Sequence, residues 1–216
     1  VIRFMLRWRW VYFPLILGIT IKAMLSFGAA IWSPALLERK FGWETGVPGL
    51  YLGLISLSMM PLGLLAGGWR ADKLTARGHD NANALVLMMA IAALLPFAIL
   101  FPLMPSAELA LTMQATSLFF GAAGTSPGNT AMQLITPGRM RGTVTAFYIA
   151  IMNLLGNGLG PLFVALLTDR IFKDEAMIAS SMAISAAILA PLGLLLCWIA
   201  YRNCWAAMAE ARQRSA

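Results

Sequence analysis

GGWRADKLTARG, Gly67 to Gly78, places Arg70, Asp72, Lys73 and Arg77 between two charge-free stretches, Val47 to Trp69 and Ala82 to Ala107. Each flanking stretch exceeds the roughly 20 residues that an α-helix needs to cross about 30 Å of hydrocarbon. The charged segment therefore reads as a short loop at a membrane surface. The same punctuation recurs outward along the chain. Val11 to Leu37, Leu109 to Gly138, Gly142 to Thr168 and Ala176 to Tyr201 are again long and apolar, and Lys22 in the first is their one charge. Hydrophobic residues make up 60% of the chain and charged residues 12%, about half the charged content of an ordinary soluble domain. The expected fold class is an all-α membrane protein. A cytoplasmic lead over 1–10 precedes a bundle of six transmembrane helices over 11–201, and a cytoplasmic tail covers 202–216. A soluble fold of this length would have too little polar surface to cover six apolar helices.

The net charge of +7 is spread over short loops and forms no basic stripe, which argues against nucleic acid as a partner. Arg3, Arg7 and Arg9 precede the first span, Arg70, Lys73 and Arg77 follow the second, Arg139 and Arg141 the fourth, and Arg202, Arg212 and Arg214 the sixth. The opposite loops hold Arg39, Lys40, Arg170 and Lys173. This bias of eleven to four puts both termini on the cytoplasmic side by the positive-inside rule, and the expected location is a bacterial inner membrane. The first apolar span is too long and too aromatic for a cleaved signal peptide and should remain as a helix. Cys197 and Cys204, seven residues apart, would be separated by about 10 Å on a continuous helix and read as free thiols.

Enzyme chemistry finds no support. GTSPG, Gly124 to Gly128, matches a nucleophile elbow around Ser126, but the motif needs a strand-to-helix turn and a histidine partner. Ser126 lies in an apolar span, and the one histidine, His79, lies in a loop. Asp72, Asp80, Asp169 and Asp174 also read as loop residues, no His/Cys cluster has metal-ligand spacing, and no cofactor is implied. Polar residues inside the spans form stripes instead. Lys22, Ser26, Ala29 and Ser33 share one face of the first helix; Thr125, Asn129 and Gln133 share one of the fourth; Asn153 and Asn157 are one turn apart on the fifth. Interhelical hydrogen bonding would account for most of these. Lys22 is different: it lies some 11 residues, or roughly 16 Å, into its span, where a lysine costs about 2.5 kcal/mol or more. It should face a wet cavity, as a contact for an anionic substrate or for an internal carboxylate. Gly49/Gly53, Gly63/Gly67, Gly124/Gly128 and Gly156/Gly160 mark close helix approach.

GGWRADKLTARG resembles the cytoplasmic G-x-x-x-D-[RK]-x-x-x-R-[RG] loop of the major facilitator superfamily through Gly68, Asp72, Lys73, Arg77 and Gly78. PGRMRG, Pro137 to Gly142, is similar to the shorter loop of the same fold, and GNGLGP, Gly156 to Pro161, to its glycine-proline interface helix. WSPALLERKFGW, AMQLITPGRMRG and NLLGNGLGPLFVALLTDRIF together resemble the spinster-like branch. The resemblance covers the C-terminal six of that family's twelve helices, a half-bundle with an inverted three-plus-three repeat. Pro61 leading to Asp72-Lys73 and Pro161 leading to Asp169-Arg170 echo that repeat faintly. The missing partner would be an N-terminal six-helix half, or a second copy. A chain that opens on Val1 with an Arg/Trp-rich lead reads as a truncated reading frame that starts at the end of a central loop.

The resemblance implies alternating access. It assigns Lys22, Ser26, Thr125, Asn129 and Gln133 to substrate binding, and Gly68, Asp72, Lys73, Arg77 and Arg141 to gating. Gly63, Gly67, Gly156, Asn157, Gly160 and Pro161 would form the interface between halves. The implied cargo is a small amphipathic organic anion or lysolipid, with membrane lipid as surroundings. The alternative is a non-transporting six-helix subunit that scaffolds or regulates a partner.

Overall fold

Within hydrocarbon every backbone N–H and C=O needs an internal partner, and apolar stretches meet that demand as helices. The computed structural model describes the backbone of residues 1–79 and 81–213, and their side chains apart from Ile2 and residues 205–213. α1 (Ile2–Arg7) leads into α2 (Arg9–Phe41), which is followed by α3 (Val47–Ala76) and α4 (Ala82–Leu103). The fourth span is divided into α5 (Ala107–Ala123) and α6 (Thr125–Leu134). The fifth comprises α7 (Arg141–Ile151), a π-helical turn at Met152–Asn157, α8 (Gly158–Leu166) and a second π-helical turn at Leu167–Phe172, and α9 (Ile178–Gln213) is the sixth. No strand occurs among the described residues. Arg9–Phe41, Val47–Ala76, Ala82–Leu103, Gly138–Phe172 and Glu175–Cys204 are each long and apolar enough to cross a membrane. The fourth span is interrupted at Gly124, so neither of its pieces is long enough alone. Six antiparallel passes result, an all-helical bundle of the expected class.

The boundaries correct the reading of the Gly67–Gly78 segment. Gly67 and Gly68 do not end the second span: α3 continues to Ala76, so Asp72 and Lys73 are helical. The chain turns at Gly78, whose φ of +83° is accessible to a residue without a Cβ. There the Gly78 N–H donates to the Thr75 carbonyl at 2.9 Å and the His79 N–H to the Leu74 carbonyl at 3.1 Å, the paired bonds of a Schellman cap. The lead over 1–10 is also helical, and Met5 is buried. Helix continues through the expected tail as far as Gln213; Asp80 and Arg214, and the side chain of Arg212, lie outside the described residues.

α2 runs through the centre, packed on α9, α8 and the Met152–Asn157 turn, while α3 packs on α5 and α4 lies against α5 and α9. Two apolar clusters fill the two ends of this bundle. Tyr12, Leu15, Ile16, Met132, Ile135, Val144, Tyr148 and Cys197 fill the end that carries the start of α2. Leu36, Phe101, Ala110, Val164, Ile178 and Met182 fill the far end. The far end is tied electrostatically as well. Lys40 Nζ donates to the Pro102 and Met104 carbonyls at 2.8 and 2.7 Å, where the C-terminal dipole of α4 favours a cation, and Arg39 pairs with Glu175 at 3.1 Å. α3 contributes least to the interior: Pro48, Gly63, Gly67 and Ala71 are its buried residues.

Candidate substrate cavity

Between the two apolar clusters lies a cavity of about 240 Å³. Its polar wall is the seam where α2 meets the fourth span. Lys22, half-buried near the middle of α2, donates from Nζ to Thr125 Oγ1 at 2.5 Å, and the Thr125 hydroxyl donates to the Gly121 carbonyl at 3.2 Å. Thr125 is the first residue of α6, directly after the break at Gly124. Proline at position 127 has no N–H to offer the Ala123 carbonyl four residues earlier, which favours an interruption at that point. An ammonium has three donors; one is engaged by Thr125, and Lys22 makes no other hydrogen bond to the described residues. Ser26, one turn along α2, lines the cavity beside Gly121. Leu94, Phe101, Val164, Met182 and Leu189 supply the apolar wall.

The structure thus brings Lys22, Ser26 and Thr125 together and leaves two of the expected binding residues out. Asn129 accepts a hydrogen bond from Tyr148 Oη at 2.6 Å, and Gln133 is exposed; neither lines this cavity. The reason is packing: Ile16, Ile19, Leu87 and Tyr148 fill the bundle below Thr125. Two cavity residues escape the sequence reading. Gln114 and Ser117 line the same cavity from α5, and their spacing to Gly121 and Thr125, i, i+3, i+7 and i+11, is the signal that would have found them.

The glycines assigned to a partner half are engaged within this one. A Cβ at Gly63 would lie 2.3 Å from the Phe119 carbonyl oxygen, and one at Gly67 1.9 Å from that of Ala123. At Gly160 it would meet the Met24 carbonyl oxygen at 2.4 Å, and at Gly156 the Ala23 Cβ at 3.0 Å. A GxxxG pair specifies close approach but not which helix approaches. Gly49 and Gly53, with nothing within 4 Å of a built Cβ, are the open pair. Asn157 is exposed and donates to Asn153 at 3.1 Å, and the Pro161 carbonyl accepts from Trp32 Nε1 at 3.0 Å.

Of the residues assigned to gating, Gly68 has open space around it, Asp72 and Arg77 are exposed, and Lys73 lies 4.6 Å from the Trp69 ring centroid. Arg141 is used locally, donating from Nε to the Thr136 carbonyl at 3.1 Å. Tyr12 secures the same turn through the Thr136 hydroxyl at 2.8 Å.

Six antiparallel helices surround a midspan lysine and an apolar cavity, the arrangement expected of a half-bundle of the major facilitator class. The family model of the Organic Anion Transporter Polypeptide (OATP) family matches residues 3–117, more than half of the chain, and the protein belongs to that family. It is 25% identical over 185 residues to an MFS-type efflux pump of Mycolicibacterium smegmatis, aligned over 85% of this chain and 43% of the pump. Among solved structures it is similar to a bacterial homologue of the human lysosomal transporter Spinster, crystallised inward-facing in occupied and unoccupied forms. The occupied form gives a TM-score of 0.64 at 19% identity, over 92% of this chain and 49% of that one. The unoccupied form gives 0.59 at 18%, over 94% and 47%. These two likenesses concern the fold. The chain spans about half the length of the relatives it matches.

Proposed function

We propose that the chain forms the C-terminal half of a secondary transporter that works by alternating access and carries an amphipathic organic anion or lysolipid. The observation that carries this reading is Lys22: a half-buried ammonium in midspan, with Thr125 as its protein partner, at the polar edge of an apolar cavity. A cation there suits a carboxylate or phosphate, and the apolar wall suits a hydrocarbon body. The other half would supply the opposite wall of the pathway, and the apolar, largely uncovered face of α3 with its open Gly49/Gly53 pair supports a contact there.

Reconstituted with its other half, the Lys22→Gln variant should bind dodecyl phosphate about 10- to 100-fold more weakly than the wild type, the range of a charge-assisted hydrogen bond. Lys22→Arg should restore part of the loss. Equal affinity in Lys22→Gln and wild type would sink the anion reading.

Asp72 is proposed to latch the cytoplasmic mouth by accepting hydrogen bonds from a helix N-terminus of the other half. Its exposure near the end of α3 supports that role. In the complete transporter, Asp72→Asn should widen spin-label distances across that mouth, whereas an unchanged distribution excludes the latch.

A further inference from the structure

The polar seam does not stop at Lys22. Gln114 is 4% exposed, lines the cavity, and makes no hydrogen bond with the described residues. Ser117, three residues on, lines the same wall and is likewise without a partner among them. Neighbouring hydroxyls behave differently. Thr112, Thr116, Thr125 and Ser185 each close on the carbonyl four residues earlier in their own helix. Ser117 leaves that bond unmade. Ala110, one turn before Gln114, belongs to the apolar cluster at the far end, so the amide stands where the cavity meets that cluster. The amide's polar atoms are not among the enclosed atoms left without a partner, so it faces the cavity and pairs with whatever occupies it, water or cargo.

We infer that Gln114, with Ser117, forms a second, uncharged hydrogen-bonding subsite of the cavity, which takes a hydroxyl or carbonyl group of the cargo. Eleven residues separate Gln114 from Thr125, about 16 Å along a helix. The inference rests on the anion reading proposed above and deepens it: the cargo has an anionic group at Lys22, an apolar body along Leu94 and Leu189, and a neutral polar group at its other end. An amide can donate and accept, so it does not by itself choose between a hydroxyl and a carbonyl. It does discriminate against a cargo that has neither, because such a cargo displaces water from the amide without replacing its hydrogen bonds.

A matched pair of probes tests this. An extended chain advances about 1.2 Å per bond, so dodecanoate and 12-hydroxydodecanoate both approach the required length and differ in the terminal hydroxyl alone. Binding of each is measured calorimetrically to the protein in nanodiscs. The wild type should prefer the hydroxylated chain by about tenfold, and Gln114→Leu should abolish that preference while binding dodecanoate at least as well. Gln114→Met and the melting temperatures of both variants control for folding. A wild-type ratio near one, or a ratio unchanged in both variants, overturns the subsite. Lys22→Gln should weaken both probes alike; if it weakens neither, the anion reading fails irrespective of the Gln114 result.

Discussion

The Ala123 carbonyl oxygen lies where a side chain at Gly67 would begin. Pro127 deprives this carbonyl of a helical donor, and α3 approaches it so closely that a Cβ at position 67 would stand 1.9 Å away. The obstacle is backbone on a packed helix, so a rotamer change cannot relieve it. Gly67→Ala should lower stability by about 3 kcal/mol, the upper part of the range for overpacking, seen as a lower melting temperature in nanodiscs. Gly53→Ala, with nothing within 4 Å, should change the half-bundle by less than about 0.5 kcal/mol. Equal effects of the two would show that the α3–α5 contact does not determine stability. The glycine pattern was legible in the sequence as close approach. The approaching helix was not, because GxxxG spacing is the same whether the neighbour lies in this half or another.

Helix number and order were legible because apolar stretches long enough to cross a bilayer leave few alternatives, whereas helix ends were not, since α3 runs on through its charges to Ala76. What happens inside an element was harder to read. Pro127 favours the irregularity at Gly124, yet Pro61, Pro96 and Pro191 lie within continuous helices, and the polar stripe from Thr125 through Asn129 to Gln133 leads away from the cavity. The face continues the other way, through Gly121 to Ser117 and Gln114. Periodicity marks a face; packing decides which part of that face stays open. The far-end loops show a similar division. Arg39 and Lys40 look alike in sequence, yet Lys40 caps two carbonyls at the end of α4 whereas Arg39 makes an exposed pair with Glu175, 41% and 80% exposed. Lys40→Met should therefore cost about 1–2 kcal/mol, and Arg39→Met less than about 0.5 kcal/mol. Chemical denaturation of the two variants in detergent checks the order, and a costlier Arg39 substitution would overturn it.

Taken over the whole molecule, the two ends of the bundle differ in charge. By chain position, the end carrying both termini holds eleven cations and three acids, and the far end four cations and six acids. Acids contribute little to orientation, so the eleven-to-four cation bias is the deciding quantity, and we propose from it that the termini face the cytoplasm. Two turns report the two ends: Thr45, exposed between α2 and α3, and His79, exposed beyond Gly78. Cys197 and Cys204 are both buried, so native thiols should add little background to a single introduced cysteine. An impermeant maleimide added to intact cells should label Thr45→Cys, and should reach His79→Cys only after the membrane is permeabilised. Labelling of His79→Cys in intact cells, with Thr45→Cys protected, would reverse the orientation and move Asp72 to the outer mouth. The cytoplasmic latch proposed for Asp72 would then fall with it, while the anion site proposed at Lys22, near the middle of α2, does not depend on which end faces the cytoplasm.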